Sequence, residues 1–478
     1  VIITAAGNCS DITNIISPVL KEKGGDIYYI DMSNDNFYLG GSAFAQIHKS
    51  IGKKAPTIKD YSYFKKAFNI IQKLINDKKI SSGHDIGSGG LITTLMEMCF
   101  SSLEIGMHID LDELEEQDTS KVFFSEKIGL ILQSKFDIES ILKKEKVKCI
   151  RIGSVLTKPI LKVKNHSQLL ELQISKYRKK WMKISSKMEQ FQTKEKFARI
   201  RAENIVKQPL KFKFPSGFIG IYPKKKKYTI NAAVLREKGS NSEREMAYVM
   251  DMCGFKVRDV HMTDIIEGRE NLKDVNFLVA VGGFSNSDVL GSAKGWAGAF
   301  KYNSNAKKII TDFFNRSDTL TLGVCNGCQL FIELGMINPN DEKKPKMEFN
   351  NSGKFECIFS PVRIKESSSI MMKKLEGTIL GIWSAHGEGK FSFPYEEEKY
   401  EIPGKYYYGK YPSNPNGSDF NTAMLCSKDG RHLVMMPHLE RSTFPWNWAH
   451  YPENRKNDTV SPWVIAFENA YKWLINHK

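Results

Sequence analysis

Residues 319–334 read Thr-Leu-Thr-Leu-Gly-Val-Cys-Asn-Gly-Cys-Gln-Leu-Phe-Ile-Glu-Leu. The run 319–322 is apolar and β-rich, and 328–334 has the spacing of a helix. Gly323, Val324, Cys325, Asn326 and Gly327 join them. A strand that turns sharply into a helix around one nucleophile is the geometry of a nucleophile elbow. The two glycines relieve crowding where such a backbone is strained. Cys325 then stands at the edge of a sheet over a helix N-terminus, whose positive end favours an anion such as the reactive thiolate.

Working outward, 229–235, 255–261 and 277–281 read as strands, and 241–253 reads as a helix capped by Ser240 or Asn241. This alternation predicts a doubly wound α/β sheet covered by helices over residues 228–476. Upstream, residues 1–165 place strands at 27–31, 122–125, 129–133 and 149–155, with helices over 63–77 and 91–101. Between these parts, 166–227 changes character. Residues 169–201 are charged and amphipathic, with no β signal, and predict a helical connector. Pro209, Pro215, Pro223 and the lysine run 224–227 then mark a domain boundary.

Composition narrows the function classes. At 478 residues the chain has room for two or three domains, and its 41% hydrophobic content suits packed cores. No stretch approaches the ~20 apolar residues that cross a bilayer, so no membrane role is expected. The net charge of +16 suits phosphorylated small substrates. The lysine run lacks interleaved aromatics for base stacking, so no nucleic-acid partner is expected. Eight cysteines without repeated spacing point to a reducing cytoplasm rather than a disulfide framework. The opening Val-Ile-Ile-Thr-Ala-Ala reads as the inside of a strand and carries no basic signal region, which predicts that the chain is part of a longer one.

A nucleophilic cysteine needs a base. The segment 433–441, Leu-Val-Met-Met-Pro-His-Leu-Glu-Arg, is an apolar strand ending in a histidine and an acid two residues on. In extended backbone His438 and Glu440 point the same way, so Glu440 can orient the imidazole that takes the proton from Cys325. His386 is a rival base, but Glu388 lies in a glycine-flanked loop. The oxyanion needs donors: the N–H of Asn326, and the turn Gly282-Gly283-Phe284-Ser285 that follows a strand. Cys325 and Cys328 also spell C-x-x-C; a redox or zinc site is the rival, and no second such pair supports it.

Several further motifs carry a resemblance. They are Gly-Val-Cys-Asn-Gly-Cys-Gln (323–329), Gly-Gly-Phe-Ser (282–285), Asp-Val-Leu-Gly-Ser-Ala-Lys-Gly-Trp-Ala (288–297), Ser-Ala-His-Gly-Glu-Gly (384–389), Tyr-Pro-Ser-Asn-Pro-Asn-Gly-Ser (411–418) and Met-Pro-His-Leu-Glu-Arg (436–441). Together they resemble the class I glutamine amidotransferase domain of the large, single-chain phosphoribosylformylglycinamidine synthases. Upstream, Leu-Gly-Gly-Ser-Ala-Phe-Ala-Gln (39–46) and Gly-His-Asp-Ile-Gly-Ser-Gly-Gly-Leu (83–91) resemble motifs of that family's second synthetase half.

The resemblance implies a flavodoxin-like glutaminase after part of an α+β, aminoimidazole-ribonucleotide-synthetase-like half. It implies that Cys325 carries a glutamyl thioester, that His438 acts as base and acid, and that Glu440 orients it. Gly283, Phe284, Asn326 and Asn416 would line the oxyanion and glutamine pocket. Asp85 would ligate Mg²⁺ beside a nucleotide, with Gly87 at the nucleotide. The implied substrates are glutamine, ATP and formylglycinamide ribonucleotide, and the implied partner is an N-terminal synthetase half that this chain lacks. Three motifs depart from the family pattern. Leu439 stands where Pro is usual, Asn286 and Ser287 stand where Tyr and a small residue are usual, and Gly87 and Ser88 replace Ser-Asp. Two alternatives remain open: a class I glutaminase serving another synthetase, and a non-catalytic module.

Overall fold

The computed structural model describes residues 4–477 apart from 10, 13 and 224–228. The lysine run 224–227 and the opening residues 1–3 lie outside the described residues. The chain divides into two compact units, Val1–Ser185 and Ser186–Lys478.

In the first unit seven described strands form one sheet: β1 (Asp26–Asp31), β2 (Ser82–Asp85), β3 (Gly106–Asp110), β4 (Gly129–Ser134), β5 (Cys149–Leu156), β6 (Ile160–Asn165) and β7 (Gln168–Gln173), in the order β2-β4-β1-β5-β3-β6-β7. All neighbours are antiparallel except β3 and β6. The helices are α1 (Ala43–Ile47), α2 (Tyr61–Asn76), α3 (Gly90–Cys99), α4 (Thr119–Phe124), α5 (Ile138–Lys144) and α6 (Ile174–Glu189). Side chains alternate across the strands, so β1 feeds two cores. Ile27 and Tyr29 pack with α3, while Tyr28 and Ile30 pack with α2 and α5. This is the α+β class.

Two expectations fail here. Residues 122–125 are not a strand. Asp118 accepts from Ser120 and Lys121 N–H and starts α4, and this cap outweighs the β-branched Val122. Nor is the connector free of β structure. Gln-Leu-Leu-Glu-Leu-Gln at 168–173 has period two, and β7 pairs with β6 from Gln168↔Asn165 to Gln173↔Ile160 before α6 begins.

The second unit takes in the end of α6 and then α7 (Glu195–Asn204). Its sheet is built from β8 (Ile230–Arg236), α8 (Glu243–Met252), β9 (Phe255–His261), α9 (Met262–Ile266), β10 (Phe277–Ala280), α10 (Lys294–Tyr302), α11 (Ser304–Asn315), β11 (Leu320–Val324) and α12 (Asn326–Glu333). There follow β12 (Lys346–Glu348), β13 (Glu356–Ile364), β14 (Ile379–His386), β15 (Lys390–Ser392), β16 (Glu401–Tyr406), β17 (Thr422–Cys426), β18 (His432–Met435) and α13 (Val464–Asn476).

Nine described strands run in the order β14-β13-β16-β17-β18-β11-β10-β8-β9. The five from β9 to β18 are parallel. Numbered along the chain they lie 2-1-3-4-5, the flavodoxin-like order, whose switch point falls between β8 and β10. Of these, β8, β10, β11 and β18 are apolar and almost wholly buried, as a parallel sheet covered on both faces requires, while the edge strand β9 is only partly buried. Four antiparallel strands extend the sheet beyond β18, a feature absent from the sequence-based reading. Helix α8 starts later than expected. Asn241 N–H is spent on Gly282 O, Ser242 takes φ 72°, and neither caps the helix with its side chain.

Candidate active site

Three strand ends meet at one place. β11 and β18 pair in parallel with Val324 opposite Met435, so Cys325 and His438 project from the same ends of neighbouring strands. Cys325 N–H donates to Met435 O at 2.8 Å, which fixes the elbow against β18. Cys325 has φ 51° and ψ −104°, a strained conformation for a residue with a side chain. The turn is as tight as the motif suggests: a Cβ on Gly327 would lie 2.0 Å from Ala280 O. Glycine therefore lets α12 begin directly against β10.

His438 N–H donates to Trp383 O at 2.7 Å, which ties the strand end to β14. Its Nδ1 lies 2.6 Å from Glu440 Oε1. All three groups are buried: Cys325 is 5%, His438 2% and Glu440 3% exposed. Burial disfavours a protonated His438, but Glu440 and Cys325 more than offset it and raise its pKa to about 10. Burial likewise works against an ionised Glu440, and the imidazolium overcomes it and lowers the carboxyl pKa. The pair is thus held as imidazolium and carboxylate. The Cys325 thiol faces Ala385 O at 3.6 Å.

The turn after β10 completes the arrangement. A Cβ on Gly282 would lie 2.7 Å from His438 Cε1 and 3.4 Å from Cys325 Cβ, so only glycine leaves room there. Gly283 has φ 132°. Its N–H and that of Asn326 have no hydrogen-bond partner among the described residues, as donors waiting for an oxyanion require. Phe284 does not serve as such a donor. Its N–H is taken by Gly239 O at 2.9 Å, and its ring lies half exposed, 6.0 Å from Phe355. Asn416 does not line an open pocket either. It is wholly buried, donates to Tyr406 OH, and accepts from Ser418 Oγ at 2.7 Å. It reaches the site only through His386, donating to Nε2 at 3.5 Å.

His386 is placed as a structural group. Its Nδ1 meets Asn350 Oδ1 at 3.2 Å, with no carboxylate partner. Burial and the charge on His438 push its pKa down to about 3, so it stays neutral. A cleft of about 560 Å³ opens on the His438 side, lined by Glu245, Tyr248, Trp383, Ala385 and Phe444 among others; Cys325 is not part of its wall.

Four polar contacts escaped the sequence reading. Asn326 Oδ1 accepts from Ser285 N–H at 3.2 Å. Asn326 Nδ2 donates to Gln329 Oε1 at 3.0 Å, and Gln329 Nε2 donates to Glu388 O at 2.7 Å. Arg441 Nη2 donates to Asn241 Oδ1 at 2.8 Å. Gln329 carried a signal, since it lies four residues after Cys325 on one helix face. The other two join distant segments. Cys328, the rival redox partner, is fully buried and its thiol pKa is pushed well up by that burial, which disfavours the thiolate.

In the first unit Asp85 ends the edge strand β2 with its side chain 81% exposed. His84 bridges it to Glu97: Nδ1 lies 3.2 Å from Asp85 Oδ1 and Nε2 lies 3.1 Å from Glu97 Oε2. No group of three or more His, Cys, Asp or Glu ligands occurs among the described residues. A single exposed carboxylate, paired only with His84, still fits Mg²⁺ held mainly by water and phosphates. A Cβ on Gly87 would meet nothing within 4 Å, so packing does not require glycine there.

A family model, the CobB/CobQ-like glutamine amidotransferase domain, matches residues 229–474. A second, the C-terminal domain of AIR synthase related proteins, matches residues 36–164. The chain is 36% identical to a probable phosphoribosylformylglycinamidine synthase, chloroplastic/mitochondrial, of Arabidopsis thaliana, over 99% of this chain and 36% of that one. It is 34% identical to the phosphoribosylformylglycinamidine synthase of Homo sapiens, over 99% of this chain and 38% of that one. The chain thus spans under half the length of these relatives. A solved PurLQS structure from Thermotoga maritima is 22% identical over 52% of this chain and 98% of that one, with a TM-score of 0.38.

Proposed function

We propose, for a chain that belongs to the CobB/CobQ-like glutamine amidotransferase domain family, that Cys325, His438 and Glu440 hydrolyse glutamine and release ammonia. One observation carries the reading: a His–Glu pair at 2.6 Å, buried beside a cysteine in a strained strand-to-helix turn. The Cys325 thiolate attacks the carbonyl carbon of the glutamine side-chain amide. The N–H groups of Asn326 and Gly283 take the oxyanion. The His438 imidazolium gives its proton to the leaving nitrogen, so ammonia departs and a thioester remains. His438, now neutral, takes a proton from water, whose oxygen attacks the thioester. Glutamate leaves and Cys325 is restored. Glu440 holds the imidazole through Nδ1, leaving Nε2 for these transfers.

The relatives' names and the two family matches support a wider role in phosphoribosylformylglycinamidine synthesis. Ammonia made at Cys325 would replace the amide oxygen of formylglycinamide ribonucleotide, a ligase reaction of purine synthesis driven by ATP. Residues 1–165 would then belong to a synthetase half, 228–476 to the glutaminase, and 166–227 would join them. Asp85 would hold Mg²⁺ at a nucleotide, whose phosphates the ion would neutralise. No disulfide joins the cysteines among the described residues, which suits a reducing compartment such as the cytoplasm. Among the described residues no helix is long and apolar enough to cross a membrane.

The test is Cys325→Ala in the full-length protein. Glutamine-dependent turnover is expected to vanish while turnover with free ammonia persists. Persisting glutamine-dependent turnover would refute the nucleophile.

A further inference from the structure

The proton-transfer pair and the oxyanion donors sit on separate segments. His438 and Glu440 follow β18, whereas Gly282 to Ser285 follow β10. Something must set their mutual distance, because Gly282 has no room to spare against His438. The turn makes its backbone bonds to the segment after β8. Asn241 N–H donates to Gly282 O at 2.8 Å, Phe284 N–H to Gly239 O at 2.9 Å, and Asn286 N–H to Lys238 O at 2.9 Å. Segment 238–241 therefore lies along the edge of the turn through an isolated β-bridge, Ser240 opposite Gly283, which shapes the turn and leaves Gly283 N–H free.

Asn241 is also where that edge meets the triad. Its Oδ1 accepts from Arg441 Nη2 at 2.8 Å, and Arg441 directly follows Glu440. Glu245, on the first turn of α8, lies 3.6 Å from Arg441 Nε and pairs with the same guanidinium. At its far end the turn is tied to the elbow by the bond from Ser285 N–H to Asn326 Oδ1. The oxyanion turn is thus strung between the backbone N–H of Asn241 on the triad side and the side-chain amide of Asn326 on the nucleophile side.

We infer that Arg441 and Asn241 are positioning residues for glutamine hydrolysis: their hydrogen bond sets the oxyanion turn against the His438–Glu440 strand end. This deepens the glutaminase reading and rests on it. Neither side chain needs to touch glutamine. Arg441 acts through Asn241, whose backbone N–H holds Gly282 O. A change in donor placement weakens an interaction made in the transition state, and that lowers kcat rather than raising KM.

The test uses the whole chain. Its readouts are glutamine hydrolysis, alkylation of Cys325 by a diazoketone analogue of glutamine, and thermal melting. Arg441→Gln and Asn241→Ala are each expected to lower kcat about tenfold with KM within about twofold, the scale of one lost hydrogen bond. The double variant is expected to lose no more than either single one, because both break the same link. Asn241→Asp keeps the acceptor and is expected to recover most of the Asn241→Ala loss. Multiplying losses, a KM effect alone, or failure of Asn241→Asp to recover activity would overturn the inference. So would a kcat loss that follows the fall in melting temperature. If both variants alkylate as fast as the parent chain, the strut fails while the glutaminase reading stands. If the parent chain itself is not alkylated at Cys325, both fail.

Discussion

Glu440 Oε1 lies 2.6 Å from His438 Nδ1, and the other carboxylate oxygen, Oε2, has no hydrogen-bond partner among the described residues. The carboxylate is therefore committed to one task, holding a single imidazole nitrogen. Removing its charge while keeping its shape should be costly. Glu440→Gln is expected to lower kcat for glutamine by about 10²–10⁴, as loss of the orienting acid does in other triads. Steady-state ammonia release measures it, and a loss under tenfold would place the orienting role elsewhere.

The same pair makes stability depend on pH. His438 has its pKa raised from 6.5 to about 10. Its contribution is complete below 6.5 and is lost as pH rises through about 10. Glu440 is lowered, so its contribution is present above the ordinary carboxylate value and is lost in acid. Melting temperature should thus fall from near-neutral pH towards pH 10, and Glu440→Gln should flatten that slope. Equal slopes for parent and variant would contradict the charge assignment.

His386 and His438 are neighbours with opposite shifts. His386 is neutral and bonded only to amides. His386→Asn should keep kcat within about tenfold while costing about 1–3 kcal/mol of stability through unpaired amides. His438→Asn should lower kcat by more than about 10³. Comparing the two variants in hydrolysis and in denaturant melts separates base from scaffold.

Gly282→Ala tests the closeness of turn and base. The added methyl would start 2.7 Å from His438 Cε1, so the ring or the turn must move. Displacing a catalytic group by about 1 Å can cost ~10²-fold. Alkylation of Cys325 should slow correspondingly, with little change in far-ultraviolet circular dichroism.

Asp85 belongs to the other unit. Asp85→Asn should leave glutamine hydrolysis by this chain unchanged and weaken any Mg²⁺-dependent nucleotide binding, since it removes the exposed carboxylate that ends β2. Calorimetry with Mg·ADP, with and without the metal, would show it. Equal nucleotide affinity in parent and variant would release Asp85 from that role.

What could be read from sequence was local. The elbow, the i, i+2 pairing of His438 with Glu440, and the parallel strands each lie within a few residues, where period and turn chemistry act. The antiparallel extension β14-β13-β16-β17 leaves little local trace because its central pairing, β13 with β16, joins Val362 to Tyr406, far apart in the chain, although β17 and β18 form a short hairpin. The bond from Arg441 to Asn241 spans 200 positions and leaves no local trace. Residues 122–125 were misread because Val122 and two phenylalanines resemble a strand until the cap at Asp118 is considered. Asn416 rests on resemblance alone and Phe284 on its place in a glycine turn, neither of which shows that their hydrogen bonds are spent elsewhere.

β18 lies inside the nine-stranded sheet, bonded to β11 on one side and β17 on the other. Parting His438 from Cys325 would require breaking backbone ladders on both flanks. Amides of 433–435 should therefore exchange with deuterium only through global opening of this unit. The reactive pair is wired to the sheet's own cooperativity, so heat inactivation should coincide with the melting of the fold rather than precede it.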